Sequence, residues 1–302
     1  MDNGTGDAML IKYNSTGEVD WAKSFGRDAQ DYISTIKKTS RGTYIIAAYS
    51  SGMSAHTIIL NVENQNVSVY GDGGSVLMEY TENGTLNWVK TISSYWSDTY
   101  SIDSVEVTND GGVIAGGYFD SDSINIRGYT LTSSGNSDGM VIKCDANGNV
   151  EWVKSIGGSS TDEITSVAAT ADGGYIVGGH FSDIITVGNY NLTNNGSSDG
   201  MVIKYENIEL GNPITLQAQS IGENSDDQIY SVVGTSDGGY VVGGKFQSSS
   251  ITVGDYTLTN AGSTDSSDGM VIKYNSNGEV EWVTSIGGSS TDEITSVAAT
   301  AD

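Results

Sequence analysis

Apolar residues along this chain come in short runs and not at helical spacing. Between Asp138 and Ser198 the runs Met140-Val141-Ile142, Val150 to Ile156, Ile164 to Thr170 and Tyr175 to Phe181 each predict a β-strand. Polar turn signals separate them. Asn147-Gly148 lies between the first two runs. Asp172-Gly173 lies between the last two and suits a tight hairpin that needs positive φ. The counterparts elsewhere are Asn83-Gly84, Asn277-Gly278, Asp110-Gly111 and Asp237-Gly238, with Arg41-Gly42 in the first copy. The single proline, Pro213, falls in an enlarged turn from Glu206 to Ile214, and no long helical pattern is present.

This pattern repeats. Its start recurs as DAMLIKY at Asp7, GSVLMEY at Gly74, DGMVIKC at Asp138 and DGMVIKY at Asp199 and Asp268, at intervals of about 60 to 70 residues. Units of this size cannot bury their own apolar faces, so they must stack into one assembly over residues 1–302. Four strands per unit predict an all-β fold, a β-propeller of four-stranded blades. The predicted phase gives complete blades over 31–92, 98–156, 162–221 and 227–287. Residues 7–25 then supply only an outer pair, and 291–300 only an inner strand. A closed five-bladed ring, with the N-terminal pair joining the C-terminal strand, is the alternative, and it is one strand short.

The strand Ile164 to Thr170 is predicted innermost, where Ala168 and Ala169 suit a crowded axis. Gly178-Gly179 on the next strand, repeated as Gly116-Gly117 and Gly243-Gly244, permits close approach between neighbours. The outermost strand carries Trp21, Trp88, Trp152 and Trp282, with Gln217 in one copy. Ser285 to Asp302 repeats Ser155 to Asp172 without a difference, and the earlier copy runs on as GGYIVGG. Further blades of a longer parent chain are therefore expected.

Composition narrows the partners. Lys and Arg total 13 against 38 Asp and Glu, a net charge of −25. That argues against nucleic-acid backbones, which need clustered cations, and against anionic membrane surfaces. No run of 18 apolar residues predicts membrane insertion. Cys144 is alone, so there is no disulfide framework; its counterparts are Tyr13, Tyr80, Tyr205 and Tyr274, which makes it a packing residue.

The pattern D-x-M-V-I-K-Y-x-x-x-G-x-x-x-W-x-x-x-x-G-G-x-x-x-D, followed by a D-G-G-Y-I-V-G-G hairpin and the ITVGNYNLTNNGSSD connection, resembles the bacterial SBBP-type β-propeller repeat. The resemblance spans nearly all of 7–302. It implies a propeller in an extracellular or cell-surface protein, without an assigned reaction. Ser51 to Gly74 departs from the pattern, with Ile58-Ile59-Leu60 and Val67-Ser68-Val69 in place of the usual connection.

Candidate sites come from carboxylates and loops. Asp31, Asp162, Asp227 and Asp292 each fall two residues before the inner strand's first Ile, with Asp98 shifted in the remaining unit. Two readings are open: a Ca²⁺ site of hard oxygen ligands around the axis, or carboxylates capping the N–H groups of their own turns. Asp7, Asp138, Asp199 and Asp268, before the Met strand, form a second series with a turn-bracing reading. The long connections Ser51–Gly74, Asp120–Ser137, Ser182–Ser198 and Gln247–Ser267 are expected to share a face with the acidic turns. There Tyr129, Tyr190, Tyr256, Asn194 and Asn195 could meet a protein or glycan ligand, or the VGNY and LTNN segments could pair as a structural ribbon.

Nucleophilic catalysis has little raw material, since His56 and His180 are the only histidines. The functional expectation is therefore a non-catalytic adhesion or ligand-binding propeller. The alternatives are a carbohydrate-active propeller using two carboxylates and a purely structural surface repeat.

Overall fold

A computed structural model describes residues 6–25, 30–51, 58–62, 65–69, 73–92, 100–206, 213–263 and 265–300. Asp98 and His56 lie outside the described residues. Every regular element described is a β-strand, and the strands form four-stranded antiparallel sheets and two-stranded ribbons. The chain divides into two compact units, Met1–Ser133 with Ile142–Lys154, and Ser134–Val141 with Ser155–Asp302.

In the first unit β1 (Ala8–Tyr13) pairs with β2 (Val19–Phe25). Next come β3 (Gln30–Lys38), β4 (Tyr44–Ser51), β5 (Ile58–Val62), β6 (Gln65–Val69), β7 (Gly73–Tyr80) and β8 (Leu86–Ile92). They build a sheet ordered β3-β4-β7-β8, with β5-β6 as a separate ribbon. The stretch whose sequence departs most from the repeat thus holds the same ribbon as the others. The pattern recurs in β9 (Tyr100–Val107), β10 (Val113–Phe119), the ribbon β11 (Ser123–Ile126) and β12 (Tyr129–Thr132), β13 (Asp138–Cys144) and β14 (Val150–Ile156). Here the order is β9-β10-β13-β14, the last two contributing Ile142–Cys144 and Val150–Lys154 to this unit. Ala8, Leu10, Phe25, Ile46, Val76 and Met78 belong to one buried cluster of this unit.

In the second unit the same order gives β15 (Glu163–Ala169), β16 (Tyr175–Phe181), β17 (Ile184–Val187), β18 (Tyr190–Thr193), β19 (Asp199–Glu206) and β20 (Ile214–Ile221). A further copy supplies β21 (Asp227–Gly234), β22 (Tyr240–Phe246), β23 (Ser250–Val253), β24 (Tyr256–Thr259), β25 (Asp268–Tyr274) and β26 (Val280–Ile286). Ala168, Ile176, Val202, Ile229, Val242 and Ile272 join one cluster, so the apolar faces of the two sheets meet. Full burial of each such Ile or Val contributes about 1.5–3 kcal/mol. Hydrogen bonds also cross between these sheets. Val232 N donates to Ser166 Oγ at 3.0 Å, and Thr165 Oγ1 donates to the Ile229 carbonyl at 2.6 Å.

The paired glycines have distinct jobs. A Cβ on Gly179 would strike the Glu163 carbonyl, where β15 bulges between Ile164 and Ser166. A Cβ on Gly178 would lie 2.6 Å from Val232 of the next sheet. One glycine therefore accommodates the bulge, and the other admits the neighbouring sheet.

The lysine of the I-K-Y run is tied to the D-G-G turn. Lys143 Nζ, almost fully buried, meets Asp110 Oδ2 and Glu151 Oε2, both at 2.9 Å. Lys273 repeats this with Asp237 at 2.9 Å and Glu281 at 3.1 Å. In the first sheet both signs are reversed: Glu79 stands at the lysine position and Arg41 at the aspartate position, 3.0 Å apart. Arg41-Gly42 is therefore the same brace with its charges exchanged.

Residues 291–300, expected as an inner strand, form no strand. They lie against the last sheet, with Ile294 N donating to the Gly244 carbonyl at 3.2 Å and Val297 N to Ser231 Oγ at 3.2 Å. No hairpin partner pairs with them among the described residues, so the ladder that defines a strand does not form.

Candidate functional site: the junctions between repeats

β14, β20 and β26 each run into a turn whose last residue belongs to the first aspartate series. In Gly157 to Asp162 the Gly158 N–H donates to Asp162 Oδ2 at 2.7 Å, closing the turn. Glu223 N to Asp227 Oδ2 (2.9 Å) and Gly288 N to Asp292 Oδ2 (3.0 Å) repeat it. The other carboxylate oxygen fastens the start of the ribbon connection. Ser182 N donates to Asp162 Oδ1 at 3.1 Å, and Gln247 N and Ser248 N to Asp227 Oδ1 at 2.9 and 3.1 Å.

The main chain of the same residues makes a third tie. Asp31 N donates to the Gly6 carbonyl, Asp162 N to Ser137, Asp227 N to Ser198 and Asp292 N to Ser267, at 2.9, 2.8, 2.8 and 2.7 Å. Each acceptor immediately precedes a member of the second series, so each of these four junctions brings one aspartate of each series together. Asp138 Oδ2 accepts from Ser134 N at 3.1 Å and Ser155 Oγ at 2.9 Å. Asp199 Oδ2 accepts from Asn195 N at 3.2 Å and Ser220 Oγ at 3.1 Å. Asp268 Oδ2 accepts from Ala261 N at 2.9 Å. The first glycine of the G-G pair makes room for this second carboxylate, because a Cβ on Gly157 would strike the Asp138 carboxyl group.

Burial raises the proton affinity of two of these carboxylates, Asp162 and Asp199. Asp162 is shifted up by burial, with the Asp138 and Asp183 charges adding to it. Asp199 is pushed up to about 6 by burial, with the Asp227 and Glu223 charges adding to it, and its Oδ1 carries no hydrogen bond. Among the described residues no group of three or more His, Cys, Asp or Glu side chains is arranged to hold a metal ion. Asp162, Asp227 and Asp292 each accept N–H groups of their own turns, the capping arrangement. Asp31, also buried, makes its tie to Gly6.

The long connections are regular. Tyr190 pairs with Val187, and buried Ile185, Val187 and Leu192 face inward. A tyrosine braces each of three ribbons: Tyr129 Oη donates to the Glu151 carbonyl at 2.7 Å, Tyr256 Oη to Glu281 at 2.8 Å, and Tyr190 Oη to Leu216. Asn194 closes its own loop on Gly196 through Oδ1 and Nδ2, both at 3.0 Å. Asn195 is exposed. These side chains sit on the ribbons as expected, but the three phenol groups and the Asn194 amide are engaged with backbone.

Residue-by-residue reading of the sequence missed a polar cavity of about 200 Å³ beside the Asp227 junction. Asn224, Ser225, Gln247, Ser249, Asn260 and Ser263 line it. The signal was present as amide- and hydroxyl-rich turns on both sides, ENSDD and NAGSTDSSD.

The remaining reactive groups are muted. His180 is held below its ordinary value by burial and stands 3.7 Å from Glu163 Oε2. Burial pushes the Cys144 thiol up to about 12, which makes it a packing residue and not a nucleophile.

No family model matches the chain. It is similar to "Regulatory protein FlaEY" of Caulobacter vibrioides, 24% identical over 246 residues, which are 77% of this chain. The chain spans about 25% of that protein's length.

Proposed function

We propose that the four-stranded sheets are blades of a β-propeller of the SBBP type, and that the chain is a non-catalytic, extracellular or cell-surface module that binds a ligand beside its junction turns. The recurring order of inner hairpin, ribbon and outer hairpin supports the propeller reading, as does the sequence resemblance. The observation that carries the ligand reading is the polar cavity beside Asp227. Its amides and hydroxyls both donate and accept hydrogen bonds, and no cation lines it. Such a lining fits a neutral, hydroxyl-rich ligand, a glycan, better than a phosphate or a carboxylate.

Screening against neutral oligosaccharides, followed by titration calorimetry, tests this. Asn224→Ala and Gln247→Ala should each weaken binding about tenfold while leaving the melting temperature near wild type. Binding that survives both substitutions would place the ligand elsewhere. Turnover of a polysaccharide would contradict the non-catalytic reading.

A further inference from the structure

The first two strands of each sheet carry one cross-strand pair whose chemistry changes in every copy. In the first unit it is Tyr32 opposite Tyr49 on β3–β4, and Ser101 opposite Tyr118 on β9–β10. In the second unit it is Glu163 opposite His180, and Gln228 opposite Lys245. The neighbours on the second strand do not vary in this way. Gly-Gly precedes Tyr118, His180 and Lys245, and Phe119, Phe181 and Phe246 follow them. A position that only packs recurs from copy to copy, as these neighbours do; the pair does not.

In the second unit this register is matched within the protein. His180 Nε2 lies 3.7 Å from Glu163 Oε2, and Lys245 Nζ 2.8 Å from Asp226 Oδ2. The first unit instead brings together aromatic rings and an unanswered carboxylate. The Tyr32 and Tyr49 rings lie 5.2 Å apart between centroids, tilted by 31°. Tyr32 is exposed, and Tyr49 and Tyr118 are half-buried. Asp103 is the extra residue of the β9 bulge. Burial, and then the Asp103 charge, push the Tyr32 phenol up, which places this carboxylate beside that ring. The contact is made toward β9, the first strand of the following sheet. Ser101 Oγ donates to Asp103 Oδ1 at 2.7 Å, while Oδ2 is buried and accepts no hydrogen bond among the described residues. Asp103 joins no ion pair among the described residues, and burial pushes its carboxyl group up.

We propose that Tyr32, Tyr49, Tyr118 and Asp103 form a binding site for a small organic cation, one that bears an alkylated ammonium group. Tyrosine faces attract such a cation through the ring quadrupole. Asp103 supplies a negative charge that no described side chain neutralises, and the net charge of −25 draws cations toward the surface. A metal ion fits less well, because it needs several convergent oxygen ligands and the site offers one carboxylate. This inference is independent of the glycan reading, which rests on residues of the second unit.

Titration of choline into the isotope-labelled chain, followed by amide NMR shifts, is the test. Its control is the carbon analogue of choline, with a tert-butyl group in place of trimethylammonium. Choline should move the signals of Tyr32, Tyr49, Asp103 and Tyr118 and saturate in the millimolar range, and the analogue should bind about fivefold more weakly or not at all. Tyr32→Leu removes a ring from an exposed position and should weaken choline about fivefold at an unchanged melting temperature. Tyr32→Phe keeps the ring and should bind as wild type does. Asp103→Asn should weaken choline about fivefold and leave the analogue unaffected. Added salt should likewise weaken choline alone. The absence of a saturable shift at these residues would overturn the proposal. So would equal binding of the analogue, which would make the rings a platform for neutral ligands.

Discussion

The same eighteen residues occur twice in the second unit, as Ser155 to Asp172 and Ser285 to Asp302. In the first copy Glu163–Ala169 is a strand paired with β16, and Ile156 and Ile164 are buried. In the second copy residues 293–299 form no strand, and the counterpart of Ile156, Ile286, is 53% exposed. The turn survives unchanged: Asp162 caps the Gly158 N–H, and Asp292 caps the Gly288 N–H. The turn is encoded locally, by a carboxylate four residues beyond an N–H. The strand and its burial are not local; they require a hairpin partner and a following sheet.

That contrast can be broken by paired substitutions. The largest difference should come from Ile164→Ala against Ile294→Ala. The first empties a fully buried position and should cost about 2–5 kcal/mol in urea unfolding. The second, at a half-buried site on an unpaired segment, should cost less than about 1 kcal/mol. Equal costs would mean that the terminal copy is as tightly packed as the internal one.

Gly158→Ala against Gly288→Ala comes next. A Cβ on Gly158 would sit 2.6 Å from the Ile184 carbonyl, whereas one on Gly288 meets nothing within 4 Å. The first should destabilise by about 1–3 kcal/mol and the second hardly at all. A neutral Gly158→Ala would show that the ribbon base yields easily.

The buried junction should also titrate. Asp199 in the folded chain holds its proton up to about 6, above the ordinary carboxylate value. The folded state therefore binds protons more tightly than the unfolded one. The Asp199 contribution to stability is greatest below pH 4 and is lost as pH rises through about 6. Asp199→Asn should raise the melting temperature at pH 7 more than at pH 4. The opposite order would mean that the carboxylate is stabilised in its ionised form. The smallest expected effect is that of Ca²⁺. Addition after EDTA should leave the melting temperature unchanged, because Asp162 and Asp227 already spend their oxygens on N–H donors. A saturable rise would instead mean that the native state binds the ion.

Much of this architecture was legible in the chain. Short apolar runs and Asp-Gly or Asn-Gly turns report strands and hairpins directly, because both depend on neighbours only a few residues away. The capping role of Asp162 and Asp227 was one of two readings, and spacing alone could not separate it from a metal site. The donors that decide it, such as Ser182 N and Ser248 N, lie about twenty residues downstream. The ribbons were half legible: Ile185, Val187 and Leu192 alternate as one buried face, yet the irregular Ser51–Gly74 stretch masked the same element. The charge-reversed Arg41–Glu79 brace was not legible, and the polar cavity showed only as amide- and hydroxyl-rich turns whose meeting the sequence does not give. Both depend on side chains brought together from separate strands or turns.

Amide hydrogen exchange, resolved by NMR at a concentration where the chain is monomeric, tests the central contrast most directly. Ala168 and Thr170, whose N–H groups face β16, should exchange slowly, while Ala298 and Thr300, in the same local sequence, should exchange orders of magnitude faster. Equal protection in both copies would contradict the account, because it would mean that the segment forms its ladder without the hairpin partner held responsible for it.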